Sequence, residues 1–111
     1  MTRSYMGMGR IIISVMSGAH DGKVFDLDTT PIMLGRHPDD DVYLRYDNRV
    51  SRHHARIARE GISYFIEDVG PDGKGSGNGT YINDRRISGK TPISSGQMVL
   101  LGSVWIRFEV K

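Results

Sequence analysis

The chain has 111 residues, enough for one compact domain with its own core and too few for two. Its 38% hydrophobic and 25% charged content is ordinary for a soluble globular protein, no apolar run approaches the ~20 residues that span a bilayer, and the absence of cysteine excludes a disulfide framework and thiol chemistry. The net charge of +2 is modest, but eleven of the fifteen cations are Arg. Six of them (Arg36, Arg45, Arg49, Arg52, Arg56, Arg59) fall within twenty-four residues, which suits recognition of a discrete anion better than general attraction to a polyanion.

In chain order, residues 1–9 carry Arg3 and no apolar core of a secretion signal, and read as a flexible N-terminal tail ahead of a domain at 10–111. Together with the lack of cysteine this fits a cytoplasmic setting. Arg10 to Met16 is a β-branched run suited to burial on both faces. Short apolar runs follow at Lys23 to Asp28, Ile32 to Arg36, Val42 to Leu44 and His54 to Arg59. Next, Ile62, Tyr64 and Ile66 alternate with Ser63, Phe65 and Glu67, which predicts a strand in a central position. The glycine-rich stretch from Gly70 to Gly77 reads as a mobile loop. Thr80 to Asn83 and Gln97 to Leu101 are further strands, and Val104, Ile106, Phe108 and Val110 alternate strictly with Trp105, Arg107, Glu109 and Lys111 in the last. Turn signals stand at Ser17-Gly18, Asp21-Gly22, Glu60-Gly61, Ser95-Gly96 and Gly102. No helical period holds over ten residues, so the fold class is all-β, a two-sheet sandwich.

Chemistry concentrates in Arg49-Val50-Ser51-Arg52-His53-His54-Ala55, where forked guanidinium donors and a hydroxyl precede a strand, the composition of a loop built to hold an anion. Upstream stands Gly35-Arg36, and downstream Asn78-Gly79-Thr80 with Asn83 three residues on. Taken residue by residue, Arg36 also fits a solvated strand end, Ser51 and Arg52 a plain loop, and Asn78-Gly79 a type I′ turn or a glycosylation sequon. Gly89-Lys90-Thr91 lacks the glycine a P-loop requires at position 84 and is read as a β-turn. His20, His37, His53 and His54 lack zinc-ligand spacing, so no metal and no cofactor is expected.

The order Gly-Arg, Ser-x-x-His, Asn-Gly-Thr over about fifty residues resembles the forkhead-associated (FHA) domain, and the resemblance covers nearly the whole chain. It implies a β-sandwich with its binding loops at one end and a non-catalytic, phosphothreonine-dependent interaction module in Ser/Thr kinase signalling. The partner would be a phosphothreonine-containing protein, with no membrane and no nucleic acid involved and the chain a monomer. By that resemblance Arg36, Ser51 and Arg52 meet the phosphate, Asn78 the peptide backbone, and Arg49 the residue three positions after the phosphothreonine, although Arg49 could equally pair with nearby Asp47. Gly35, His54, Gly79, Thr80 and Asn83 would brace the loops, with His53 unassigned. Three departures fall inside the implied site. Gly77 stands where the family carries a phosphate-binding Ser or Thr, leaving a missing contact unless Ser76 swings in; the loop from Asp68 to Asn78 is about five residues longer than the family pattern; and Gln97 replaces a common Asp.

Two other functions compete. Ser51 with His53 or His54 could form a nucleophile and base, but no nucleophile elbow frames the serine. A basic-patch nucleic-acid-binding β domain is the alternative reading of the arginine cluster, which Asp39, Asp40, Asp41 and Asp47 interrupt.

Overall fold

The structure is a computed structural model that describes residues 9–111. Of the tail expected over residues 1–9, all but Gly9 lies outside the described residues. Among the described residues eleven strands form: β1 (Ile11–Val15), β2 (Val24–Leu27), β3 (Ile32–Gly35), β4 (Val42–Tyr43), β5 (Ala55–Glu60), β6 (Ser63–Asp68), β7 (Thr80–Ile82), β8 (Arg85–Arg86), β9 (Thr91–Ile93), β10 (Gln97–Leu101) and β11 (Val104–Val110). They build a six-stranded sheet of order β2-β1-β11-β10-β7-β8 and a five-stranded sheet of order β9-β6-β5-β3-β4. No helix occurs among the described residues.

The core between the sheets is the sum of the inward halves of these strands. Ile11, Ile13 and Val15 of β1, Ile57 of β5, Ile66 of β6, Val99 and Leu101 of β10, and Val104, Ile106 and Phe108 of β11 are all buried. Phe108 meets Tyr64 of the opposite sheet edge-on, with ring centroids 5.4 Å apart, a geometry that suits two aromatic quadrupoles. Strands β1 and β6 each have partners on both sides, so the two segments expected to be central are so.

Three expectations need correction. Ile62 is 92% exposed and lies outside β6, because Gly61 takes φ +63° and the β5–β6 hairpin turns through both residues. His54 precedes β5 instead of opening it, since its carbonyl accepts the amides of Val69 and Gly70. The glycine-rich loop is laced in place: Gly75 N–H donates to Val69 O at 2.7 Å, Gly73 N–H to Gly70 O, and Lys74 N–H to Asp72 Oδ1. Gly70 has φ +77°, and a Cβ there would overlap the Gly75 carbonyl, so that position tolerates only glycine. Two strands, β8 and β9, were not anticipated.

The chain leaves the five-stranded sheet after Gly35, after Tyr43 and after Asp68. The first connection leads on to β4, the second into β5 and the third across to β7 in the other sheet. These three excursions carry every candidate site residue except Gly35, which ends β3, Thr80, which opens β7, and Asn83, which follows it, and the bonds described next tie them into one surface.

Candidate functional site

Gly35 ends β3 in a space that has no room for a side chain. A Cβ there would overlap Asp40 Oδ2 and come within 2.6 Å of His53 N, so the strand passes directly beneath the His53 backbone. Arg36 follows. Its amide donates to Ser51 O at 3.1 Å and its Nε to Val50 O at 2.9 Å, which fixes the guanidinium plane against the second loop. The two terminal nitrogens of Arg36 have no partner among the described residues and the side chain is exposed, so the fork faces outward with its donors uncommitted.

Ser51 is placed from two sides. Its amide donates to His54 Nδ1 at 3.0 Å, and its hydroxyl oxygen accepts Gly77 N–H at 3.1 Å. Because the oxygen is used as an acceptor, its proton remains available to an incoming anion. Arg52 is exposed with no partner among the described residues. His53 takes φ +49°, a conformation uncommon outside glycine, and two bonds to one carboxylate hold it: its amide to Asp40 Oδ2 at 3.0 Å and its Nδ1 to Asp40 Oδ1 at 2.6 Å. Asp40 is buried and also accepts the His37 amide, so it serves as an anchor for the first two loops.

His54 braces the second loop to the third. The ring is fully buried; Nδ1 accepts from Ser51, so Nε2 carries the proton and donates to Gly79 O at 2.8 Å. Burial pushes the imidazole below its ordinary value, opposed by the Gly79 carbonyl and Asp68 and reinforced by Arg86.

The third loop hangs on Asp68. Its carboxylate accepts the Ser76 amide at 2.5 Å, the Ser76 hydroxyl at 2.6 Å and the Thr80 hydroxyl at 2.7 Å. Burial alone would raise this carboxyl; the two bonds from Ser76, the bond from Thr80 and nearby His54 hold it below the ordinary carboxylate value. The Ser76 oxygen also accepts Gly79 N–H at 2.9 Å. Ser76 is therefore committed inward and does not swing out to replace the hydroxyl absent at Gly77. Asn78 is exposed; its Nδ2 donates to Arg49 O at 2.9 Å, which leaves the side-chain carbonyl and one amide proton for a ligand backbone. Gly79 has φ +86°, and a Cβ there would press on Arg86 Nε at 2.8 Å.

Among the sequence candidates, Arg36, Ser51, Arg52, Asn78 and Arg49 come together on this surface, with Gly35, His54, Gly79 and Thr80 behind it. Asn83 does not belong there. With Asp84 it forms the positive-φ pair, 51° and 65°, of the two-residue turn joining β7 to β8. Arg49 does not pair with Asp47. That carboxylate is buried and accepts Ala19 N–H, while the Arg49 side chain is exposed without a partner among the described residues. Sequence reasoning missed Asp40, Asp68, Arg86, the inward, bracing use of Ser76, and that of Gly102, whose amide bonds Gly79 O and whose missing Cβ makes room for Arg49 O. Gly102 gave a signal as a turn, and Ser76 only as a hydroxyl near the gap at Gly77. Among the described residues no group of three or more His, Cys, Asp or Glu could hold a metal, and no helix is long and apolar enough to cross a membrane.

Chemically, an exposed guanidinium fork, a second free guanidinium and a donating hydroxyl on a rigid rim suit a tetrahedral dianion, with an amide side chain alongside for an extended backbone. Comparison with known proteins agrees with this architecture. The chain is 37% identical over 100 residues to an oxoglutarate dehydrogenase inhibitor of Corynebacterium jeikeium and 35% identical over 100 residues to the glycogen accumulation regulator GarA of Mycolicibacterium smegmatis. Each alignment covers 90% of this chain, which spans 65% and 59% of those relatives' lengths. The crystal structure of the FHA domain of the CT664 protein from Chlamydia trachomatis superposes with a TM-score of 0.76 at 32% identity, covering 90% of this chain and 96% of that one. A family model, the FHA domain, matches residues 32–102. From Ile32 at the start of β3 to the Gly102 turn beneath the loops, that match takes in every part of the site just described, and the chain belongs to the FHA domain family.

Proposed function

We propose that this domain is a phosphothreonine-dependent protein-protein interaction module in Ser/Thr kinase signalling, acting in the cytoplasm as a monomer, without catalysis of its own and without nucleic acid. The observation that carries the reading is the convergence of three loops on one surface, where the Ser51 hydroxyl accepts Gly77 N–H while Arg36 and Arg52 keep unpaired donors beside it. In this reading Arg36 forks onto the phosphate, Ser51 donates its hydroxyl, Arg52 adds charge, Asn78 holds the peptide backbone and Arg49 contacts a flanking residue. Residues 10–111 make up the domain. A phosphate brings about −1.5 to −2 charge and three acceptor oxygens, so one cationic cluster suffices to separate a phosphopeptide from its unmodified form. The regulatory names of the two curated relatives support a role in control by binding.

The test is calorimetry with a degenerate phosphothreonine peptide library and its unphosphorylated counterpart. Binding confined to the phosphorylated set, with Arg36→Ala costing at least the ~1.5–3 kcal/mol of a hydrogen bond to a charged group, is the expected result. Equal binding of both sets, or unchanged affinity in Arg36→Ala, would refute it.

A further inference from the structure

The long loop between β6 and β7 is a departure from the family pattern that phosphate binding does not explain. Folded back on itself by the Gly75 to Val69 and Gly73 to Gly70 bonds, it forms one wall of a cavity of about 310 Å³; the opposite wall is the segment from Arg86 to Gly89. Two cations line this cavity, Lys74 from the long loop and Arg86 from β8. The Lys74 ammonium has no partner among the described residues. Arg86 makes one long bond, Nη2 to Ser76 O at 3.3 Å, and keeps its other donors. The carboxylate in the lining, Asp68, is already engaged by three donors from Ser76 and Thr80. Asp72, which accepts the Lys74 amide, lies outside the lining residues. The cavity therefore presents surplus positive charge and free N–H donors, and no competing free acceptor carboxylate.

Its position gives it a use. Arg86 bonds the carbonyl of Ser76, and the next residue, Gly77, bonds Ser51, so residues 76–77 link the Arg86 side of the cavity to the anion-holding surface. An extended peptide advances about 3.3 Å per residue, so a ligand seated on Ser51 and Asn78 reaches the cavity within a few residues of its phosphothreonine.

The geometry points to a second anion subsite, formed by Lys74 and Arg86, that takes an acidic side chain of the bound partner, either a carboxylate or a second phosphate group. This inference rests on the phosphothreonine reading of the neighbouring surface. It gives the long loop a role in selectivity, since without that loop there is neither Lys74 nor a facing wall.

Fluorescence anisotropy at fixed salt, with phosphothreonine peptides in which Asp, Glu or phosphoserine is scanned through the flanking positions against Ala, tests it. One flanking position should bind the native chain about two- to fivefold more tightly when acidic, as a partly exposed ion pair allows. Lys74→Glu should abolish or invert that preference while leaving the affinity for the Ala-flanked phosphothreonine peptide within about twofold. Arg86→Gln, which retains a donor toward Ser76 O, should weaken the same preference. A larger gain from phosphoserine than from Asp identifies a second phosphate as the ligand; equal gains identify a carboxylate. If phosphothreonine dependence holds but no acidic preference responds to Lys74 or Arg86, the inference is overturned alone. If the native chain binds no phosphothreonine peptide at all, it falls together with the reading it rests on.

Discussion

Removing the Asp68 carboxylate should damage the fold and the recognition surface together, and its size can be worked from three bonds. Asp68→Ala takes the acceptors from the Ser76 amide, the Ser76 hydroxyl and the Thr80 hydroxyl, in residues that are 5% and 0% exposed. A bond to a charged group contributes about 1.5–3 kcal/mol, but water can enter the space left behind and the losses do not add, so a net cost of about 3–5 kcal/mol is expected. That is a large part of the ~5–15 kcal/mol that stabilises a domain. Asp68→Asn should cost less, about 1–2 kcal/mol, because its amide keeps one acceptor and hydroxyls can rotate to accept from the other. Urea unfolding measures both, with an unchanged m-value as the sign that only stability moved. The native carboxyl is held below its ordinary value. Its contribution should therefore be fully present above about pH 3.9 and disappear as the pH falls through the lower folded-state value. A cost under about 1 kcal/mol for Asp68→Ala, or equal costs for Ala and Asn, would refute the picture of a carboxylate anchoring the third loop.

Further outcomes follow from the same geometry. Gly77 has no positive φ, and a Cβ there would meet only Ser51 Oγ, at 3.9 Å; Gly77→Thr should tighten phosphopeptide binding by roughly 0.5–1.5 kcal/mol in calorimetry, and weaker binding would show that the added methyl obstructs the ligand. Arg49→Ala should erase a preference of on the order of 0.5–1 kcal/mol for Asp three positions after the phosphothreonine, and that preference in the native chain should shrink as salt rises, read on a peptide array. His54 should stay neutral with its proton on Nε2 well below pH 6.5, so its contribution to stability, complete above that pH, is lost as the pH falls through its depressed folded value; nitrogen chemical shifts of the ring report this directly, and titration at the ordinary value would contradict it.

Which parts of this molecule a sequence can disclose depends on the range of the interactions that fix them. Alternation in β11 and the buried run in β1 are local, and both strands were read to within a residue or two. Ile62 misled because the same alternation reaches one residue back from Ser63, into the turn that Gly61 sets with its positive φ. Strands β8 and β9 escaped because they are two- and three-residue pieces at sheet edges, too short for a period; β9 carries Pro92, which an edge strand tolerates and a central one does not.

The site divides along the same line. Arg36, Ser51, Arg52 and Asn78 are legible only through the motif order that resembles the FHA domain, since residue by residue each also fits a solvated strand end, a plain loop or a turn. Asp68 and Asp40 are not legible even so. Each accepts bonds from backbone amides in loops that are set only once both sheets are in place, as with Asp40 and His53, thirteen residues apart, and composition cannot report such a pairing. The glycine-rich loop shows the consequence most sharply. Eight residues, four of them glycine besides Pro71, Asp72, Lys74 and Ser76, with no period suggested a mobile connection, yet one carboxylate at its base and one hydroxyl near its end convert it into a wall. The family resemblance marks that loop as too long, and only the bonds to Asp68 and Val69 show that the extra length is folded. An insertion that is folded against a cationic strand, beside a surface suited to phosphate, is placed where it can alter which ligands that surface accepts.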